Sequence, residues 1–244
     1  MGNFRRRGFR VAASLLNALF FLSACTELYE PQPVATAPLE KTPNVATVPG
    51  TNIRMAAAFY NNPHVVHQEF YGDQGLWRGH IAVIQLTIDS EEPNATDLLL
   101  DQAFVYLPQT GKYYPRITAK EAFDVAWPAG HPWAGVKEDV MNVGILLFTI
   151  ATLGVGSVVW VLPSPFQQPV PESTPFGRYL GYRDMAETIT LQPGSFRTGF
   201  LFFHLPKSVD MNHLQGAQLI VRLVTKKPEP APHLVTFNLP PTTP

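Results

Sequence analysis

The chain of 244 residues contains a single cysteine, Cys25. One thiol excludes an intramolecular disulfide, so the folded part must be stabilised by a hydrophobic core. The chain also lacks an excess of either charge, with 18 basic and 19 acidic residues. This balance argues against nucleic acid as a partner, because binding to a phosphate backbone depends on clustered lysine and arginine.

The sequence also lacks the common catalytic and cofactor patterns. It contains no Gly-x-Ser-x-Gly elbow, no His-Glu-x-x-His helix, no phosphate-binding loop and no dinucleotide-binding glycine pattern. His64 and His67 are spaced to share one face of a helix, but no third ligand follows from the spacing. The sequence therefore predicts a protein that is not an enzyme and that holds no cofactor and no metal.

The N-terminus has the order of features that is typical of a secretory signal. Arg5, Arg6, Arg7 and Arg10 are followed by an apolar stretch at residues 11–22. A stretch of this length suits the hydrophobic region of a signal peptide and is too short for a permanent bilayer span.

The next feature is the tetrapeptide Leu22-Ser23-Ala24-Cys25. It resembles the lipobox of bacterial lipoproteins. The resemblance implies that residues 1–24 are a signal peptide, that cleavage occurs before Cys25, and that the thiol is acylated, typically with palmitate. Membrane lipid is then a partner of the protein through Cys25. Thr26, where a retained lipoprotein carries aspartate, implies an outer-membrane location in the cell envelope.

Two segments are predicted to lie outside the folded domain. Residues 25–50 are rich in proline, threonine, alanine and valine without a repeating apolar face, which predicts an extended tether. Residues 240–244 form a proline-rich tail. Without the four arginines of the leader, 14 basic residues remain against 19 acidic ones, so the mature chain is net acidic.

Between these ends, short apolar stretches and turn residues predict strands. Residues 81–88 alternate, with Ile84, Leu86 and Ile88 on one face. Further strands are predicted at 98–107, 188–191, 199–205, 217–225 and 233–239, and the Gln192-Pro193-Gly194 sequence predicts a tight turn. The 24 prolines and 17 glycines agree with many turns, so the pattern predicts an antiparallel β-sandwich.

Two of these stretches resemble an immunoglobulin-like domain that recurs, mostly uncharacterised, on bacterial lipoproteins and secreted proteins. Residues 104–115, with the turn Gln109-Thr110-Gly111-Lys112, are similar to its middle hairpin, and residues 191–206 are similar to a later strand pair. The resemblance implies a mainly β, immunoglobulin-like domain over 51–239 and brings no catalytic residues. The chain departs from it by an apolar, predicted helical insertion at about 128–182.

The insertion contains 23 consecutive residues without a charge, 140–162. By length this run is a transmembrane candidate. A single span would separate the two matching halves of the domain, so a buried or self-packed helix is favoured over a membrane-dipping segment or a partner-binding surface, and over a true span. Gly154, Gly156 and Ser157 divide the run into two shorter apolar limbs.

These features together predict a lipid-anchored envelope protein that acts as a non-enzymatic interaction or assembly module, with another envelope protein as its partner. The predicted contact surface is apolar and consists of Leu146, Leu147, Phe148 and Trp160. The alternative is a membrane-active protein in which residues 140–162 enter or span a bilayer.

Overall fold

The computed structural model describes residues 39, 45–60, 62–70, 74–130, 169–211, 214, 216–226 and 230–239. Within these residues the strands are β1 (Val45–Thr47), β2 (Ile53–Phe59), β3 (Ile81–Ser90), β4 (Thr96–Leu107), β5 (Lys112–Ile117), β6 (Thr188–Leu191), β7 (Ser195–His204), β8 (Gln218–Thr225) and β9 (Ala231–Asn238).

The helices of the same residues are short. They are α1 (Pro63–Glu69), α2 (Gly75–Arg78), α3 (Ala119–Gly130) and α4 (Pro175–Arg183), with a 3-10 turn at Pro171–Ser173 before α4. In the part of the chain that the structure describes, none of the helices has the length and apolar character needed to cross a membrane.

The strands form one path of antiparallel neighbours in the order β1-β2-β3-β7-β5-β4-β8-β9. Strand β5 joins the two halves of this path. Its first residues pair with β4, from Lys112 opposite Leu107 to Pro115 opposite Phe104, whereas Arg116 and Ile117 pair with β7. The chain therefore passes from one half of the sheet to the other within a single six-residue strand.

Strand β4 carries two partners on the same edge. Its first half, Thr96 to Leu99, pairs with β6, and its second half pairs with β5. The register with β8, on the opposite edge, shifts between Leu99 and Phe104. Such an irregularity bends a strand and increases its twist, which separates the directions of the two halves.

The main core lies between the two halves of the strand path. It receives alternate side chains from both, such as Leu86 of β3, Phe203 of β7, Val105 of β4 and Leu219 of β8, which are buried. Burial of one such side chain contributes about 1.5–3 kcal/mol. The alternation on β4 and β8 agrees with strands that have only one buried face.

Strand β3 and residues 199–203 of β7 are buried on both faces because the helices cover their second face. Phe200 and Phe202 of β7 point away from the main core and contact Phe70, which follows α1, in edge-to-face geometry with ring centroids 5.1 and 5.9 Å apart. Phe123 of α3 stacks near Phe176 of α4. The result is a second apolar layer between helices and sheet.

Each of the three longer helices begins with a recognisable cap. The Asn62 side chain accepts a hydrogen bond from the His64 N–H before α1, and Thr174 accepts one from Gly177 N–H before α4. Thr118 and Glu121 form a reciprocal capping box at α3, with 2.7 Å from Thr118 N to Glu121 Oε2 and 3.3 Å from Glu121 N to Thr118 Oγ1.

The prediction of a mainly β antiparallel domain is confirmed. The predicted hairpin at residues 104–115 is present, and Gly111 adopts a positive φ of 65° in its turn. The predicted turn at Gln192-Pro193-Gly194 also connects two strands. The described ends of the insertion at about 128–182 are helical, whereas residues 131–168, including the run 140–162, lie outside the described residues.

Strand β1 lies inside the segment predicted as the tether, residues 25–50. Leu39 is buried, and β1 pairs with β2 through Val45 opposite Ala56 and Thr47 opposite Arg54. The proline-rich composition concealed this strand, because three residues are too few for alternation to be visible. The leader and residues 25–38 lie outside the described residues.

Gly199 allows the segment after α4 to lie directly against β7. An added Cβ at Gly199 would lie 2.5 Å from Met185 Cγ and 3.2 Å from the Arg183 carbonyl oxygen. The contact is fixed by a hydrogen bond of 3.2 Å from Met185 N–H to the Phe200 carbonyl, and by a parallel bridge between Asp184 and Phe200.

Replacement of Gly199 by alanine should therefore destabilise the domain, by about 1–3 kcal/mol, because the new methyl group overpacks a tight contact. The matched control is Gly181→Ala in α4, where an added Cβ meets nothing within 4 Å and helix propensity favours alanine by about 1 kcal/mol. Urea unfolding of both variants measures the difference. Equal stability of Gly199→Ala and the wild type would contradict the packing role.

Candidate functional site

The residues predicted from the sequence as functional lie outside the described part of the chain. Cys25 falls within residues 1–38, and Leu146, Leu147, Phe148 and Trp160 fall within 131–168. Their roles stay predictions. The described residues instead form three other features at different places: an apolar sheet face, a buried charged cluster and a groove.

The apolar sheet face is the outward side of β4, β5, β8 and β9, opposite the main core; we call it the outer sheet face. Register places its side chains in rows across the strands. Its aromatic and aliphatic members are Leu99, Phe104, Tyr106, Tyr113, Pro115, Ile220, Val224, Pro232 and Leu234.

Two large apolar side chains of this face are mainly in solvent. Tyr113 is 61% exposed and Leu234 is 69% exposed. Tyr113 packs against Tyr106 of the neighbouring strand, with ring centroids 4.8 Å apart. The outward side of an antiparallel sheet is ordinarily polar, so this face departs from the usual pattern.

The polar groups of the outer sheet face are largely engaged with each other. Arg222 donates to Gln102 at 2.8 Å, and Gln218 donates to Asn238 at 3.0 Å across β8 and β9. Asp97 is paired with Lys226 at 2.8 Å. The engaged charges leave apolar contact as the main interaction that this face offers, which is the composition found at the centre of protein interfaces.

A hydrogen bond from Lys226 and another from Thr190 hold the pKa of Asp97 below its ordinary value. Thr190 Oγ1 donates to Asp97 Oδ1 at 2.7 Å. The carboxylate therefore stays ionised at the edge of the outer sheet face at neutral pH.

The buried charged cluster lies between α1, α4 and β7, on the side of β7 that the helices cover. Arg183 is buried and pairs with Glu69 at 3.1 Å between Nη2 and Oε1. The same guanidinium lies over the Tyr179 ring, 4.6 Å from its centroid, and near the Phe200 ring. Arg183 Nη2 also donates to the Tyr179 hydroxyl. Cation–π contact thus supplements a single ion pair.

Burial makes Tyr179 of this cluster and the neighbouring Tyr60 weaker acids. It raises the pKa of Tyr60 to about 12, with the Glu69 carboxylate acting in the same direction. Burial likewise raises the pKa of Tyr179, against the opposing effect of Arg183. Phenols held neutral in this way act as hydrogen-bond donors and packing groups, which fits a structural role of the cluster in joining α1 and α4 to the sheet.

Arg116 of β5 binds the segment that follows α4. Its side chain is buried, pairs with Asp184 at 2.8 Å and donates to the Met185 carbonyl. Burial raises the pKa of Asp184, although the Arg116 charge and the backbone N–H of Ala119, at 2.9 Å from Oδ2, act to lower it. Removing one partner of such a pair leaves a buried charge unmatched, which costs about 3–5 kcal/mol.

The groove has a volume of about 420 Å³ and lies beside this segment. Its walls come from residues 182–186 on one side, β6 on another and β7 on the third, including Thr190, Arg197 and Thr198. The Thr198 hydroxyl is held by Gln85 at 3.3 Å and Thr87 at 3.1 Å. Arg197 is exposed.

The histidine pair considered from the sequence does lie on one helix, since His64 and His67 both belong to α1. Among the residues that the structure describes, no group of three histidine, cysteine, aspartate or glutamate side chains is placed to hold a metal ion.

Sequence reasoning missed the outer sheet face because a single sequence does not show which outward positions of distant strands lie side by side. The signal was present in the count of apolar residues at outward positions. It became visible only when the register aligned them across four strands.

Comparisons with protein-family models, with curated proteins and with solved structures give no match for this chain.

Asp184 and Asp97 should titrate on opposite sides of the ordinary aspartate pKa. The native pKa of Asp184 is raised, so its contribution to stability is fully present below its unfolded pKa. That contribution is lost as the pH rises through the native pKa. Asp97 has the opposite sign: its contribution is present above its unfolded pKa and is lost as the pH falls through its lowered native pKa.

Nuclear magnetic resonance titration of the side-chain carboxyl carbons measures both pKa values. Lys226→Gln should raise the pKa of Asp97 and leave that of Asp184 in place. An Asp184 pKa at or below the ordinary aspartate value would contradict the dominance of burial over the Arg116 charge.

Proposed function

We propose that the protein is a lipid-anchored lipoprotein of the bacterial cell envelope, most simply of the outer membrane, that acts as a non-enzymatic interaction or assembly module. The observation that carries this proposal is the tetrapeptide Leu22-Ser23-Ala24-Cys25, directly after a basic and apolar leader. One acyl chain holds a protein to a bilayer only marginally, whereas the several chains of a lipoprotein cysteine anchor it stably.

We also propose the immunoglobulin-like sandwich as the finer description of the fold. Two sets of strands, β1-β2-β3-β7 and β4-β8-β9, contribute side chains to one core, which supports two facing sheets. The predicted hairpin that ends in β5 agrees with the resemblance on which this description is based.

The tether gives the domain reach above the membrane. Buried Leu39 marks the first described residue of the folded part, so residues 25–38 remain as the tether. If extended like polyproline at about 3.1 Å per residue, these 14 residues span roughly 40 Å. A domain held at this distance meets other membrane-attached proteins at a high effective concentration.

The outer sheet face is the surface that we assign to the contact, and another membrane-attached envelope protein is the partner. Strands about 4.8 Å apart and outward residues about 6.8 Å apart give the face roughly 20 by 25 Å, or about 500 Å². A stable dimer in free solution needs about 800 Å² per partner. The face is therefore suited to a weak contact between proteins that the membrane already brings together.

Cys25→Ser should abolish the anchor. We expect the wild type to incorporate an alkyne-labelled palmitate and to fractionate with membranes, and the variant to lose the label and retain the uncleaved leader. Mass spectrometry of the N-terminal peptide measures both. Equal labelling of the variant would refute acylation at Cys25.

A liposome-binding experiment tests the second candidate function, a membrane-active protein, which the uncharged run 140–162 favours. A chain without the leader and with Cys25→Ser should stay in the aqueous phase when mixed with liposomes of phosphatidylethanolamine and phosphatidylglycerol. If the chain floats with the liposomes, insertion of residues 140–162 into the bilayer becomes the better-supported function, in place of contact with a partner protein.

Photo-crosslinking in producing cells tests the outer sheet face. A benzoylphenylalanine at position 113 or 234 should form one discrete adduct, whereas the same group at Phe196, which is 43% exposed on β7 outside this face, should not. Leu234→Asp should weaken the adduct formed from position 113 about tenfold, because it places a charge within an apolar contact.

Mass spectrometry identifies the crosslinked species and decides between the outcomes. An envelope protein whose purified form binds the wild type, but not Leu234→Asp, supports the proposal. An adduct of twice the chain mass, or equal crosslinking from position 196, overturns the assignment of the partner or of the surface.

A further inference from the structure

The groove exists because β6 and β7 separate directly after the turn that joins them. Strand β6 pairs with β4, whereas β7 pairs along its full length with β3. Among the described residues no ladder connects β6 with β7, although only three residues lie between them. Residues 182–186 line the gap between these two strands.

The edge of β7 that faces this gap is only partly used. Beyond Phe200 it pairs with β5, through Phe202 opposite Ile117 and Phe203 opposite Arg116. At Phe200 the carbonyl accepts the Met185 N–H at 3.2 Å, so this carbonyl points away from β3.

Backbone groups of every second residue point to the same side of an antiparallel strand. The N–H and C=O of Thr198 therefore point to the same side as the Phe200 carbonyl, into the groove. In the described part of the chain no strand pairs with this edge before Phe200. The parallel bridge between Asp184 and Phe200 illustrates that an extended segment fits here, before the chain turns away into β6.

The charge that the groove offers to a ligand is positive. Asp184 is paired with Arg116, and Arg183 with Glu69, so these groups neutralise each other. Arg197 is exposed and forms no ion pair with another described residue. Glu187 lies close enough to Asp184 to act on its pKa but is not part of the lining.

We propose that the groove binds an extended peptide segment that ends in a carboxylate. The segment adds to β7 as a short strand, exchanging backbone hydrogen bonds with Thr198, and its carboxylate pairs with Arg197. Met185 and Ile189 provide apolar wall for one of its side chains. The volume of about 420 Å³ is within the range of about 300–1,000 Å³ for ligand sites and limits the bound part to a few residues.

This site is separate from the outer sheet face, so the two proposals fail independently. The probe is the tetrapeptide Val-Thr-Val-Ala with a fluorophore acylated on its N-terminus and with either a free or an amidated C-terminus. Fluorescence anisotropy with the purified full-length protein in detergent measures the Kd. We expect binding of the free acid at or below about 1 mM, and binding about tenfold weaker for the amide, because a charge-assisted hydrogen bond is lost.

Arg197→Gln should weaken binding of the free acid about tenfold and should remove the difference between acid and amide. Arg78→Gln, at an exposed arginine of α2, is the matched control and should change nothing. Leu234→Asp, on the outer sheet face, should bind the peptide normally. The amide proton resonance of Thr198 should shift on binding.

Three results would overturn the proposal. The first is no binding of either peptide at about 1 mM. The second is a Kd that Arg197→Gln leaves unchanged. The third is displacement of the peptide by inorganic phosphate combined with unchanged affinity for a peptide whose backbone amides are methylated, since that result defines a simple anion site without strand pairing.

Discussion

The structure depends on the central part of one strand, β7, where residues 199–203 are buried on both faces. Its odd-numbered side chains, such as Leu201 and Phe203, fill the main core, and its even-numbered ones, Phe200 and Phe202, support the helices. Its two edges carry β3 on one side and, in succession, the segment after α4 and then β5 on the other. Both apolar layers and the connection between the two halves of the sheet therefore meet on five buried residues of this strand, 199–203.

On the helix side of this strand and its neighbour β3, the polar side chains are paired with each other. Thr198, Gln85 and Thr87 form a hydrogen-bonded ladder on the helix side, and Tyr60 extends it to Gln85 at 3.2 Å. Unmatched polar groups in such a place cost about 1–3 kcal/mol each. The arginines Arg116 and Arg183 are tolerated there because each has a carboxylate partner, and Arg183 also has aromatic rings on which to stack.

Much of the sheet was predictable from the sequence, because alternation of apolar residues and turn chemistry are local signals. Strands β3, β8 and the hairpin of β4 with β5 follow from such patterns. Strand β2 did not, since its centre consists of Ala56, Ala57 and Ala58, which carry little apolar contrast. Helices α1 and α2 are seven and four residues long, too short to display a period of 3.6.

The candidate sites were less predictable, because they depend on residues that are far apart in the chain. The outer sheet face joins Tyr113 to Leu234 only through the registers of four strands. The groove depends on the choice of partner by β6, and no feature of residues 188–191 specifies that they pair with β4 and leave the β7 edge uncovered. Pairing between distant strands is decided by the whole core.

The register shift in β4 divides its pairing with β8 into two parts. Four residues, 100–103, stand opposite the single residue Val221. The backbone N–H groups of Leu100 and Asp101 donate instead to the Glu187 carbonyl, at 2.7 and 3.0 Å. The strand is thus two short ladders joined by a hydrogen-bonded hinge. A change of register in one half is absorbed at the hinge and does not invert the faces of the other.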